Sequence, residues 1–122
     1  MWRLIVAGLF LVVAGLALGT SLGPAQAASQ TFTITNDSPY DAQVDFESET
    51  RVWPGRDQAY TIRSGESRDI SLTCTYGEEI CYGGWVINHG EYYWGEGPRH
   101  NMRCSKCCVN CGHGDVEYTL TR

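Results

Sequence analysis

The amino-acid sequence predicts an all-β fold: a small antiparallel β-sandwich of about seven strands with an irregular, cysteine-rich loop near the C-terminus. Three observations lead to this prediction. Apolar and polar side chains alternate in several short runs, which is the period of a half-buried strand. Clusters of Gly, Pro, Asn, Asp and Ser separate these runs. No segment of ten residues carries the three-to-four spacing of an amphipathic helix.

The first strands are predicted from strict alternation. Phe32 and Ile34 share one face of the run 31–36, and the turn cluster at 36–39 ends it. The run 42–46 repeats the same pattern, so its apolar side chains are expected to face the same core.

The remaining strands follow at short intervals. Further runs of strand character lie at 60–62, 70–74, 80–87, 91–94 and 116–120. The segment 95–114 is different, because it is rich in Gly, Cys and His and has no alternation. We expect it to be irregular and to be ordered by disulfides or by a metal ion.

The N-terminus has the composition of a secretory signal peptide. Arg3 precedes an apolar run over 4–18, and an Ala-x-Ala motif ends at Ala27. The sequence therefore predicts a signal peptide over 1–27 and a single exported domain over 28–122, either secreted or periplasmic. The apolar run is shorter than the roughly 20 residues of a membrane span, and no second one follows. No membrane span is expected after cleavage.

The charge of the chain limits its partners. The formal net charge is −5. The predicted signal peptide contains one arginine and no acidic residue, so the exported domain is more acidic still, at −6. Nucleic acids and anionic membrane surfaces are bound through basic patches, and we expect neither as a partner.

All six cysteines belong to the predicted exported domain. They are Cys74, Cys81, Cys104, Cys107, Cys108 and Cys111. An even number in a small exported domain indicates a disulfide framework. If Gly77 and Glu78 form a hairpin loop, Cys74 and Cys81 face each other across two antiparallel strands. The preferred pairing is therefore Cys74 with Cys81, and the other four cysteines among themselves.

Two alternatives remain for these cysteines. The residues 104–111 form two joined C-x-x-C units, and such turns present two thiolates to tetrahedral zinc. His100 and His113 are further candidate ligands for a structural zinc ion. A redox-active C-x-x-C is the other alternative, and the cation of Lys106 favours the thiolate form there.

Aromatic residues are concentrated between 82 and 94. In the predicted strand 91–94, Tyr92 and Trp94 share one face. We hypothesise that Trp85, Tyr92 and Trp94 border a ligand surface beside the cysteine-rich loop, for a glycan or an envelope or extracellular protein. The alternative is that these rings fill the core and turns of a small sandwich.

Two resemblances support the predicted fold. The residues 31–36, 39–40 and 64–67 resemble the opening strands of thaumatin-like proteins, which implies a sandwich with glucan binding or an antifungal role. The residues 80–85 and 93–97, followed by the paired C-x-x-C, are similar to a set of small exported bacterial proteins with cysteine-containing β-sandwiches. This second resemblance implies no particular activity.

Together these features predict a small exported binding or interaction protein stabilised by disulfides. Catalysis is not expected, because no histidine lies beside a nucleophile motif and G-x-S-x-G is absent from the sequence. No cofactor is expected either, apart from the structural zinc of the alternative. That alternative is a zinc-binding or thiol-redox protein acting through the loop 104–111.

Overall fold

The computed structural model describes residues 26–122. The predicted signal peptide, 1–27, lies outside the described residues except for Gln26 and Ala27. Gln26 accepts a hydrogen bond from the backbone N–H of Tyr76, at 2.9 Å. Ala27 begins the first strand, so both residues already run beside the end of a neighbouring strand.

The described residues form nine strands and one 3₁₀ turn. The strands are β1 (Ala27–Asn36), β2 (Ala42–Glu47), β3 (Val52–Trp53), β4 (Tyr60–Ile62), β5 (Ser67–Thr75), β6 (Glu79–Val86), β7 (His89–Gly95), β8 (Cys108–Asn110) and β9 (Val116–Leu120). The 3₁₀ turn spans Pro98–His100. The prediction of an all-β domain is confirmed. The two strands beyond the predicted seven, β3 and β8, have two and three residues, too few for an alternating pattern to be recognised.

The strands are divided between two sheets. The three-stranded sheet has the order β5-β1-β9. The six-stranded sheet has the order β3-β2-β6-β7, with β4 also paired to β2 and β8 to β6. The pairs are antiparallel except β1 with β9, which run parallel. The chain reaches β9 from the six-stranded sheet and not through a hairpin from β1, so nothing requires β9 to run antiparallel.

The core lies between the two sheets. The alternating side chains of β1, β2 and β5 face inward, and the rings of Phe32 and Phe46 meet across the interface with centroids 4.5 Å apart. The buried apolar side chains other than cysteine are Phe32, Ile34, Ala42, Val44, Phe46, Ile62, Ile70, Leu72, Ile80, Tyr82, Val86 and Leu120. All of them belong to runs that the sequence predicted as strands, so the alternation with a period of two located the core correctly.

The turn between β5 and β6 crosses from one sheet to the other. β5 pairs with β1 in the three-stranded sheet, whereas β6 pairs with β2 in the six-stranded sheet. The two strands therefore do not form the hairpin that the sequence suggested. Cys74 lies on the inner face of the first sheet, while Cys81 alternates with the core residues Ile80 and Tyr82 and faces outward. The predicted Cys74–Cys81 bridge is wrong for this reason.

Three disulfides join the six cysteines in a different pattern. Cys74 pairs with Cys111, Cys81 with Cys108, and Cys104 with Cys107. The first bridge is buried and connects β5 with the chain that follows β8. The second joins residues that are directly opposed in β6 and β8. The third closes a short turn. The prediction of disulfide stabilisation is confirmed, and three disulfides in so small a domain indicate an oxidising environment.

Loss of the buried disulfide is expected to cost more stability than loss of the short one. The Cys74–Cys111 bridge spans 37 residues, so Cys74→Ala with Cys111→Ala should lower the free energy of unfolding by about 4 kcal/mol. The Cys104–Cys107 bridge spans 3 residues, and the matched double alanine variant should lose only about 1.5 kcal/mol. Urea unfolding of both variants measures the difference. Equal losses would show that the chain-entropy argument does not apply here.

Candidate functional site

The outer face of the six-stranded sheet carries a set of planar polar side chains around one indole ring. Gln43, Asp45 and Glu47 alternate with the core residues of β2 and face away from the core. In the register of the sheet, Gln43 lies opposite Trp85 of β6. The indole Nε1–H of Trp85 donates a hydrogen bond to Oε1 of Gln43, at 3.1 Å. This bond fixes the indole in one orientation on the outer face.

The chain after β7 folds back over this outer face. Its approach depends on glycine at position 83, because a Cβ there would lie 2.3 Å from the carbonyl oxygen of Gly97. Gly97 itself has a φ of 67°, a conformation that L side chains rarely adopt. The 3₁₀ turn Pro98–His100 then follows directly over the sheet. Two glycines thus allow backbone to pack on backbone at one edge of the site.

His100 anchors this turn to the sheet. Its side chain is only 5% exposed, and both ring nitrogens contact carboxylates. Nε2 lies 2.8 Å from Oδ1 of Asp45, and Nδ1 lies 2.7 Å from Oε1 of Glu96. A carboxylate oxygen only accepts hydrogen bonds, so both nitrogens must donate and the ring must be the imidazolium cation. Glu47 adds a third carboxylate, 3.8 Å from Nε2.

The electrostatics of His100 agree with this geometry. Burial by itself lowers the pKa of the imidazole, but hydrogen bonds to Asp45 and Glu96 and the charges of Asp45 and Glu47 outweigh burial. They raise the pKa of His100 to about 9. The ring is therefore a permanent cation at neutral pH, and it neutralises part of an acidic surface.

The loop between β2 and β4 forms the opposite side of the site, and Glu78 holds its first part. The Glu78 carboxylate accepts hydrogen bonds from the hydroxyls of Ser48 and Thr50, from the guanidinium of Arg51 and from the backbone N–H of Thr75. Burial raises the pKa of Glu78, but these donors together lower it below its usual value. The start of the loop is thereby fastened to the β5–β6 turn.

Between this loop and the 3₁₀ turn lies an open groove of about 690 Å³, which we call the Trp85 groove. Its lining comprises Gln43, Asp45, Glu47, Trp85, Pro98, Arg99 and His100, together with 48–52 and 55–59. The groove combines one aromatic surface with amide, carboxylate and guanidinium groups. Such a combination suits a polar ligand that also has an apolar face.

The structure does not bring the three predicted ligand residues together. Trp85 lines the Trp85 groove, whereas Tyr92 and Trp94 line a second groove of about 410 Å³ with Tyr40. We call this the Tyr92 groove. Trp94 lies opposite Gly84, whose position faces the core, and its Nε1–H donates to the carbonyl of Thr121 at 2.6 Å. Tyr92 is 62% exposed.

The two histidines predicted as metal ligands have other partners in the structure. Both nitrogens of His100 are occupied by carboxylates, and His113 stacks on the ring of Tyr76 with centroids 6.1 Å apart. The carboxylate of Glu79 lies near the sulfurs of Cys81 and Cys108, but these sulfurs are bonded to each other. A zinc site would need thiolates, so the zinc alternative stays a prediction for the reduced chain.

Sequence reasoning missed most of the Trp85 groove. Gln43, Asp45 and Glu47 could have been found, because the alternation that places Val44 and Phe46 in the core places these three on the outer face. Arg99 could not, because it reaches the groove only through a backbone reversal with a φ of 60°. No local pattern predicts where such a turn will pack.

Comparison with protein-family models, with curated proteins and with solved structures finds no match. The function of this protein is therefore inferred from the site itself. Within residues 26–122, no helix has the length and apolar character needed to cross a membrane.

Gly83→Ala is expected to disrupt the Trp85 groove. The added methyl would overlap the Gly97 carbonyl, which is backbone and cannot rotate away, so the turn must move or the domain must lose about 2 kcal/mol of stability. Thermal unfolding and the tryptophan emission spectrum would report both effects. Gly90→Ala is the control, because its Cβ would meet only Cγ of Pro98, at 3.5 Å. If both variants behave like the parent protein, the close packing of the turn is wrong.

His100 is expected to make the stability of the domain depend on pH. Its pKa is raised from 6.5 to about 9 on folding, so its contribution is complete below pH 6.5 and is lost as the pH rises through 9. The loss should approach roughly 3 kcal/mol. Urea unfolding between pH 6 and pH 10 measures it. His100→Gln should be less stable at pH 6 and should lack most of this decline. A parent protein equally stable at both ends would contradict the ion pairs.

Proposed function

We propose that this protein is an exported binding protein that holds an oligosaccharide in the Trp85 groove. One observation carries the proposal: an indole ring fixed by Gln43 lies in an open groove among planar hydrogen-bonding side chains. Sugar rings have an apolar face of C–H groups and an edge of hydroxyl groups. An aromatic face and carboxylate, amide and guanidinium groups complement these two features.

The groove is organised before any ligand arrives. His100 holds Asp45 in place, and the Glu78 network holds the loop that begins at Ser48. Gln43 is positioned by its bond to Trp85. Groups that are already ordered lose little conformational entropy when a ligand binds, so more of the contact energy appears as affinity.

The proposal is for binding without catalysis. His100 is a cation between two carboxylates and has no free nitrogen to accept a proton. Asp45 accepts a hydrogen bond from that cation, at 2.8 Å. His89 lies on the far strand β7 and bonds only to Glu91, at 3.2 Å, so it does not take part in the groove.

Export supports a glycan as the ligand class. The three disulfides agree with an oxidising destination, and the predicted signal peptide directs the chain outside the cytoplasm. Polysaccharides are abundant ligands at cell surfaces and in envelopes. The acidic net charge disfavours nucleic acid as the ligand. The resemblance to thaumatin-like proteins makes a β-linked glucan the first oligosaccharide to test.

Titration with oligosaccharides tests the proposal. Laminarihexaose, cellohexaose and chitohexaose would be added to the purified domain, and binding would be followed by calorimetry and tryptophan fluorescence. We expect at least one to bind, and Trp85→Ala to weaken that binding at least tenfold, which corresponds to about 1.4 kcal/mol. Circular dichroism would establish that the variant is folded.

Tyr92→Ala is the matched control, because Tyr92 lies in the other groove and is largely exposed. It should leave oligosaccharide affinity unchanged. Weakened binding in Tyr92→Ala with full binding in Trp85→Ala would move the ligand to the Tyr92 groove and overturn the assignment. Failure of all three oligosaccharides to bind would contradict the proposed ligand class.

A further inference from the structure

The residues 96–107 form a closed surface loop whose two ends meet at one residue. The backbone N–H of Glu96 donates to the carbonyl of Tyr82, at 3.0 Å. The N–H of Tyr82 donates to the carbonyl of Cys107, at 2.9 Å. Loops of this size with adjacent ends are Ω-loops, which are often functional. We call it the Ω-loop.

The Ω-loop is fastened without help from its own disulfide. His100 fixes its first half to Asp45, and the N–H of Met102 donates to the carbonyl of Glu96 at 3.0 Å. The next residue after the loop, Cys108, is bonded to Cys81 in β6. Removal of the Cys104–Cys107 bridge therefore leaves both ends of the Ω-loop attached to Tyr82.

The three disulfides differ in their burial and in the length of chain that each closes. Cys74–Cys111 is buried in the core and closes 37 residues, and Cys81–Cys108 joins two paired strands and closes 27. Cys104–Cys107 closes only 3 residues, so it restricts the unfolded chain least. Its turn also lies at the surface, where the two residues between the cysteines, Ser105 and Lys106, are exposed.

We propose that Cys104 and Cys107 form an exchangeable disulfide that accepts two electrons from a dithiol. An open groove of about 670 Å³ gives a partner access to Cys104, which lines it with Met102, Arg103 and Ser105. Cys107 is only 3% exposed, so the attacking thiolate reaches Cys104.

The exchange is a two-step reaction. A thiolate of the donor attacks Sγ of Cys104, the bond between the two sulfurs breaks, and Cys107 leaves as a thiolate that takes a proton from water. The second thiolate of the donor then attacks the mixed disulfide and releases Cys104 as a thiolate. The donor ends as a disulfide, and the Cys104–Cys107 pair has gained two electrons. The reverse sequence restores the bridge.

This activity does not depend on the proposed oligosaccharide site. The Trp85 groove is lined by the first half of the Ω-loop, through Pro98, Arg99 and His100. The exchanging cysteines lie in the second half, beyond the anchor at His100. Reduction is therefore expected to free the tip of the loop and to leave the groove and the fold intact.

Stepwise reduction of the native protein tests the proposal. Dithiothreitol would be the donor, increasing in concentration without denaturant, and free thiols would be trapped with N-ethylmaleimide and located by peptide mass spectrometry. We expect Cys104 and Cys107 to be labelled together at concentrations at least tenfold below those that label the other four cysteines. Circular dichroism of this partly reduced state should match that of the oxidised protein. Oxidised glutathione should then restore the same bridge.

Two results would overturn the proposal. One is labelling of all six cysteines together, because reduction would then follow global unfolding. The other is earlier reduction of Cys81–Cys108 or Cys74–Cys111. The variant with Cys104→Ser and Cys107→Ser controls the assignment, since it should show no labelling in the low range of dithiothreitol. Oligosaccharide titration is a separate readout, so either proposal can fail alone.

Discussion

The segment from Gly97 to Gly114 has almost no apolar side chains with which to hold itself on the domain. Apart from its cysteines it offers only Pro98, Met102 and Val109. A segment of this composition gains too little from burial to offset the entropy of ordering it. Cross-links and ion pairs replace the missing core: two disulfides tie it to β5 and β6, and His100 binds the outer face of the sheet. The groove and the Ω-loop both depend on these attachments.

The ion pairs of His100 have a cost as well as a benefit. A nearly buried cation is stable only while its carboxylate partners remain, because an unpaired charge in that position would have to be desolvated without compensation. Asp45 comes from the sheet and Glu96 from the chain that precedes the turn, so the interaction fixes one element relative to the other. The pairs thus define where the turn lies, and that placement creates one wall of the Trp85 groove.

The sequence was informative wherever structure is local. Alternation located the core strands, since Phe32 and Phe46 lie in the core as expected and Trp94 shares the face of Tyr92. It failed where the chain changes sheet. Cys74 and Cys81 have the spacing of a hairpin pair. Their strands cross between sheets because β5 pairs with β1 and β6 pairs with β2, and this pairing with distant strands is not visible in the local sequence. The same limit applies to the site: the groove needs a turn that returns from a distant strand, which no local pattern encodes.

The strand β6 connects all of these features. Its inward side chains Ile80 and Tyr82 belong to the core, and its outward Trp85 provides the aromatic surface of the groove. Because Gly83 has no side chain, the backbone of Gly97 can pack against this strand. The N–H and the carbonyl of Tyr82 form the hydrogen bonds that close the Ω-loop. Because one strand paired with β2, β7 and β8 carries these contacts, the groove is fixed on one side of the His100 anchor. The tip of the Ω-loop, on the other side, can change its disulfide without disturbing the sheet.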